Sequence, residues 1–161
     1  MLKTLTTVAS VALPIEERWS IKRCRYAPDG SSVGRVCIAT GTPGDEMMGQ
    51  VIIYLVQQRI GEHPDALRGT VDFYPMLNPL GLDIGERLVP SGTRLDMNRA
   101  FPGSPNGTPL EYMCHQVIQD MRGADLVLDL HASARNKSEL YEVRVSAKEA
   151  ERLLPRVRAL C

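Results

Sequence analysis

Three short apolar runs dominate the sequence: Gly34–Gly41 (GRVCIATG), Thr70–Asn78 (TVDFYPMLN) and Ala124–Leu130 (ADLVLDL). Each reads as a buried strand, and Pro75 predicts an early end or an edge position for the second. Between the first two, Met47, Met48, Val51, Ile52, Leu55, Val56 and Ile60 recur at helical spacing, predicting a helix over Glu46–Ile60. Before the third, Thr108, Pro109 and Glu111 spell a capping box with proline at the first helical position. Leu110, Met113, Cys114, Val117, Ile118 and Met121 then form one apolar stripe. Alternation of this kind predicts an α/β fold, a largely parallel or mixed sheet flanked by helices.

The chain has 161 residues, enough for a single domain with a sizeable core. We expect N-terminal strands over about 1–33 and a motif-bearing core over 34–133. Glu139–Val145 reads as a further strand, and Ser146 with Glu149 as a second capping box opening a final helix. The connection from Pro79 to Gly107, rich in Gly and Pro, reads as a long loop, and loops of that length are usually functional or disordered.

Composition narrows the function. Formal net charge is zero, giving no electrostatic case for nucleic acid or an anionic membrane. No segment approaches the roughly 20 apolar residues of a membrane span. Leu2–Leu13 is interrupted by Thr4, Thr6, Thr7 and Ser10 and lacks the dense apolar run of a secretory leader. Cys24, Cys37, Cys114 and Cys161 form no CxxC pair, and Cys37 and Cys114 lie in apolar patterns as small buried hydrophobes. A reduced, cytoplasmic setting is expected.

In parallel sheets, ligands bind beyond the carboxyl ends of the strands. Glu46 follows the first strand, Asn78 ends the second and His131 ends the third, so polar candidates converge on one rim. Asp129 and His131, two apart on a strand, face the same way, and an acidic neighbour can fix the tautomer of a ligand imidazole. Glu46 and Asp45 also suit a helix's first turn or cap, which needs no catalytic role. Arg87, Asn98 and Arg99 lie in or near the long connection, and a guanidinium in a cleft is well suited to grip a carboxylate.

The segments TGTPGDEMMG (Thr40–Gly49), NPLGLDIGERLVP (Asn78–Pro90), LDMNRAFPG (Leu95–Gly103) and LVLDLHAS (Leu126–Ser133) occur in the order and spacing of one family. The chain resembles the N-terminal part of the succinylglutamate desuccinylase/aspartoacylase family, related to the zinc carboxypeptidases. The resemblance implies a zinc-dependent hydrolase of the amide bond of an N-acyl amino acid or similar small carboxylate-bearing amide. It implies Glu46 and His131 as zinc ligands, Asp129 as the residue behind His131, and Arg87, Asn98 and Arg99 as substrate-binding residues.

The sequence departs from that pattern in two places. Pro43 stands where the family's GxHGxE motif has its histidine, and proline has no side-chain donor. Asp45, His63 and His115 are not at that motif position. The family's general-base glutamate is expected further downstream; Glu139, Glu142, Glu149 and Glu151 lack its surrounding motif, so no catalytic base is assigned. The alternatives are a non-catalytic carboxylate-binding relative, or an inactive truncated fragment with an open sheet edge. An incomplete sheet would favour a homo-oligomer or a complementing chain.

Overall fold

A computed structural model describes residues 1–13, 16–90 and 95–132, with Glu142 and Arg144. The expected strand over Glu139–Val145 and the final helix lie outside the described residues, save for those last two. Five strands form one mixed sheet: β1 (Leu2–Ala12), β2 (Arg18–Ala27), β3 (Arg35–Thr40), β4 (Thr70–Tyr74) and β5 (Leu126–Leu130), in the order β1-β2-β4-β3-β5. β3 runs parallel to β4 and β5, whereas β2 is antiparallel to both β1 and β4. The fold is the expected α/β arrangement, a mixed sheet flanked by helices.

Helix α1 (Met48–Glu62) follows β3, and α4 (Pro109–Met121) precedes β5. They cover opposite faces of the sheet, as strand alternation requires. Trp19, Ile21, Cys37, Ala39 and Tyr74 point to the α4 side, against Leu110, Met113, Cys114 and Val117. Cys24, Tyr26 and Phe73 point to the other side, where Ile53 of α1 meets them. Cys24, Cys37 and Cys114 are buried free thiols. The capping box forms as read: Thr108 Oγ1 accepts from the Glu111 amide at 3.3 Å, and Glu111 accepts from the Thr108 amide at 2.7 Å. β4 ends at Tyr74, immediately before Pro75.

The connection after β4 differs from the expected loop. It contains two short helices, α2 (Pro79–Ile84) and α3 (Met97–Ala100). Asn78 caps α2 by accepting from Gly81 at 2.9 Å, Pro79 opens it, and Gly85 ends it in the left-handed region at φ 65°. Asp96 caps α3.

Helix α1 also differs. The helix forms where the apolar spacing predicts one, at Met48–Glu62 against the expected Glu46–Ile60, yet only Gly49 and Ile53 are buried. Gly49 lets the helix sit directly on β3, since a Cβ there would fall 1.7 Å from Thr40 Oγ1. Met47, Met48, Val51, Ile52, Leu55 and Val56 are exposed. Val127 on β5 is exposed as well, and among the described residues nothing pairs with the outer edge of β5. No helix among the described residues is long and apolar enough to cross a membrane.

On the α4 side, a carboxylate with no exposed surface holds the sheet together. Asp72 of β4 accepts from Arg25 Nε and Nη2 at 2.7 and 2.8 Å and from Arg35 Nε at 2.6 Å. Asp120, in the last turn of α4, accepts from Arg23 at 2.7 and 2.9 Å and from Tyr74 Oη at 2.7 Å. Burial alone would raise the Asp72 pKa, but the hydrogen bonds from Arg25 and Arg35 win and hold it below its ordinary value. A depressed pKa means that stability is present above the unfolded value of about 3.9 and is lost as pH falls through the folded value.

We therefore expect Asp72→Asn to cost about 3 kcal/mol at neutral pH, because it leaves the partly buried guanidinium groups of Arg25 and Arg35 without their carboxylate. Urea unfolding at a series of pH values would show that difference shrinking in the acid range as the native carboxylate itself protonates.

Candidate active site

The site forms where β3, β4 and β5 end. The chain leaves β3 through Gly41, at φ 73°, and the strand ends are stitched by Leu77 N to Thr40 O at 3.1 Å and Asn78 N to Gly41 O at 2.8 Å. Thr40 Oγ1 donates to Leu130 O at 3.0 Å and so fixes the end of β5 beside β3. Two segments then interlock. Gly44 N and Asn78 Nδ2 each donate to Arg87 O at 3.3 Å. A Cβ on Gly44 would lie 2.2 Å from Gly81 C and 2.4 Å from Glu86 O, so the approach of these segments tolerates only glycine.

This packing brings Glu46, His131, Asp129 and Arg87 together. Glu46 is 7% exposed. Its Oε2 accepts from the Ala132 amide at 2.8 Å and lies 3.1 Å from His131 Nδ1. His131 Nε2 lies 3.0 Å from Asp129 Oδ2. Arg87 Nη1 stands 3.9 Å from Glu46 Oε1. An imidazole between two carboxylates can donate to both only when both ring nitrogens carry protons. The His131 pKa is accordingly raised, mainly by its hydrogen bond to Asp129 and then by the charges of Asp129 and Glu46, against the opposing effect of burial.

Asn98 and Arg99 are placed differently. Both are exposed on α3, and among the described residues no hydrogen bond or ion pair joins either to Glu46 or His131. Arg99 Nε lies 3.6 Å from Asp96 Oδ2, which also accepts from Arg87 Nη2 at 3.3 Å. Sequence reasoning passed over Asp96. Its signal was its place two residues before Asn98, where an aspartate is a natural helix cap.

The donor set can be tested against zinc. Ligands at about 2.0–2.1 Å in a tetrahedron set neighbouring donors about 3.3 Å apart, and the Glu46–His131 pair is close to that spacing. Asp129 lies 3.0 Å from the other ring nitrogen of His131, a contact that would fix the orientation of an imidazole serving as a ligand. The third donor is missing. Pro43 is fully buried at the motif position, and no group of three or more His, Cys, Asp or Glu among the described residues could hold a metal ion. Asp45 has a buried oxygen without a partner but joins no such group. His63 caps the far end of α1, and His115 lies on α4 across the sheet. The described residues do not fit a three-ligand hydrolytic zinc site.

Comparison with known proteins places this geometry in context. The family model for the succinylglutamate desuccinylase/aspartoacylase catalytic domain matches residues 32–160. An N-alpha-acetyl-L-2,4-diaminobutyric acid deacetylase of Halomonas elongata is 32% identical over 98 residues, covering 59% of this chain and 27% of the relative. A succinylglutamate desuccinylase/aspartoacylase structure from Rhodobacter sphaeroides superposes with a TM-score of 0.68 at 24% identity, over 82% of this chain and 40% of that one. A metallo-carboxypeptidase from Burkholderia cenocepacia gives 0.66 at 17% identity, over 81% and 37%. The chain thus spans less than half the length of each of these relatives. With four fifths of its residues under one family model, this chain belongs to the succinylglutamate desuccinylase/aspartoacylase family.

Proposed function

We propose that this chain carries the carboxylate-recognition part of an amide-hydrolase site for N-acyl amino acids or similar small carboxylate-bearing amides. We further propose that it binds such compounds without cleaving them unless a third metal donor is supplied. The observation that carries the reading is the half-exposed Arg87 guanidinium held beside the Glu46–His131 pair, with Pro43 at the position of the missing ligand. The Halomonas elongata relative is named for deacetylating an N-acetyl amino acid, an amide with a free carboxylate.

In this reading Arg87 receives the ligand's carboxylate, for which a planar guanidinium offers paired N–H donors. Anchoring that end sets the amide against Glu46 and His131, and Asp129 keeps the imidazole ring from turning. Asn98 and Arg99, exposed on α3, serve the outer part of the ligand. Zinc is the cofactor that the family implies, and Glu46 with His131 would be two of its ligands. No general base is assigned among the described residues.

Titration of the purified chain with zinc, beside Pro43→His, tests the site. The variant should bind zinc more than about 100-fold more tightly than the parent, a larger gain than the roughly 10- to 100-fold contributed by one outer partner. Equal affinity in both would overturn the reading that Pro43 stands in place of a missing ligand, since Glu46 and His131 adjoin in either form. Adding Asp129→Asn to Pro43→His should lower zinc affinity by about 10- to 100-fold.

Calorimetry with N-alpha-acetyl-L-2,4-diaminobutyrate tests the other half. Binding by the parent chain should be insensitive to a chelator and weakened about 10-fold or more by Arg87→Gln. Loss of binding on adding the chelator would show that a metal is essential and overturn the metal-free reading.

A further inference from the structure

The geometry points to Asp96 as the positioning residue that aims Arg87 at an incoming carboxylate, an inference that rests on the carboxylate-binding reading above. Arg87 has two acidic neighbours. Glu46 Oε1 lies at 3.9 Å from Nη1, beyond hydrogen-bond reach, whereas Asp96 Oδ2 accepts from Nη2 at 3.3 Å. Charge attraction is stronger where water is scarcer, and Glu46 is the more buried of the two acids. Without a counter-anchor, the guanidinium would close onto Glu46. That movement would spend its donors on the protein and cover the carboxylate that faces His131.

Asp96 can act as the counter-anchor because it is itself fixed. Its Oδ1 accepts from the Asn98 amide at 3.0 Å as the cap of α3, and its carbonyl accepts from the Arg99 amide at 3.0 Å. The other end of Arg87 is equally fixed, its carbonyl accepting from Gly44 and Asn78. A flexible side chain is thus held at both ends, by its backbone and by one Nη. Its remaining N–H groups, on a side chain 44% exposed, make no hydrogen bond among the described residues and can serve a ligand. Arg99 shares Asp96 Oδ2 at 3.6 Å but is 88% exposed, so it adds charge without adding constraint.

A plain electrostatic role makes the opposite prediction. If Asp96 merely neutralised local positive charge, removing its charge would raise affinity for an anion. If it positions Arg87, removing its charge lowers affinity. The full chain and its Asp96→Asn variant are titrated with N-alpha-acetyl-L-2,4-diaminobutyrate; asparagine keeps the acceptor that caps α3. A second variant, Asp96→Ser, also caps but is too short to reach Arg87, and it guards against a folding defect peculiar to asparagine.

We expect both variants to bind about 10-fold more weakly. In nitrogen-15 NMR of the ligand-free chain, the Arg87 Nη signals, assigned by their absence in Arg87→Lys, should be separate in the parent and averaged by free rotation in both variants. Unchanged or tighter binding overturns the inference, as do Arg87 signals that stay separate in the variants. Should the parent bind no ligand, the carboxylate-binding reading falls, and the NMR comparison alone decides whether Asp96 holds Arg87.

Discussion

Asp72 has no exposed surface, sits in the middle strand of the sheet and cannot shed its charge without consequence. Arg25 reaches it from β2 and Arg35 from β3, so one carboxylate sets the side-to-side register of three strands. Arg23 and Tyr74 extend the network to Asp120 and bind the last turn of α4 to the same face. A negative charge in the last turn of a helix is unfavourable by itself, and the Arg23 guanidinium compensates it. Apolar alternation already opposes a one-residue slip, and the bidentate ion pair also opposes slips by two residues, which leave the apolar faces unchanged. With the register fixed at one end of the strands, Thr40, Asn78 and Leu130 arrive together at the other.

The candidate site inherits its order from that arrangement. Strand ends supply Asp129 and His131, the turn after β3 supplies Glu46, and the glycine contact between Gly44 and Gly81 brings Arg87 in from another segment. The family's chemical logic is present up to a point. A histidine backed by a carboxylate faces a glutamate at ligand spacing, while the position that should complete the set holds a buried proline. Proline offers no side-chain donor, so relaxation of the surrounding backbone cannot make position 43 a metal ligand. In the proposed function recognition and hydrolysis are separable, since gripping a carboxylate needs only a guanidinium.

Much of this was legible in the residues. The strands announced themselves as apolar runs ending at glycine or a polar residue, and Thr108–Glu111 named the start of α4. Asp129 and His131 were readable as a pair because strand periodicity forces them to one side. The short helices α2 and α3 were not read: at 6 and 4 residues they show too few turns for periodicity, although Asn78, Pro79 and Asp96 carried their caps. The exposure of α1 could not be read either. Helical spacing reports that apolar residues share a face, not that anything covers it. Asp96 escaped because its part depends on a contact with Arg87 across an intervening segment. The resemblance supplied Arg87, Asn98 and Arg99, but only Arg87 stands beside the Glu46–His131 pair.

Helix α1 carries methionine, valine, isoleucine and leucine on its solvent side, next to a strand whose outer edge is unpaired among the described residues. An apolar stripe on a helix normally packs against another surface. Closing the core is a unimolecular event, its rate independent of how many copies are present. Meeting another sticky helix or open strand edge is bimolecular and accelerates with concentration. The same surface therefore makes the yield of dispersed protein depend on crowding and on dilution during refolding. It sets a kinetic contest between folding and association.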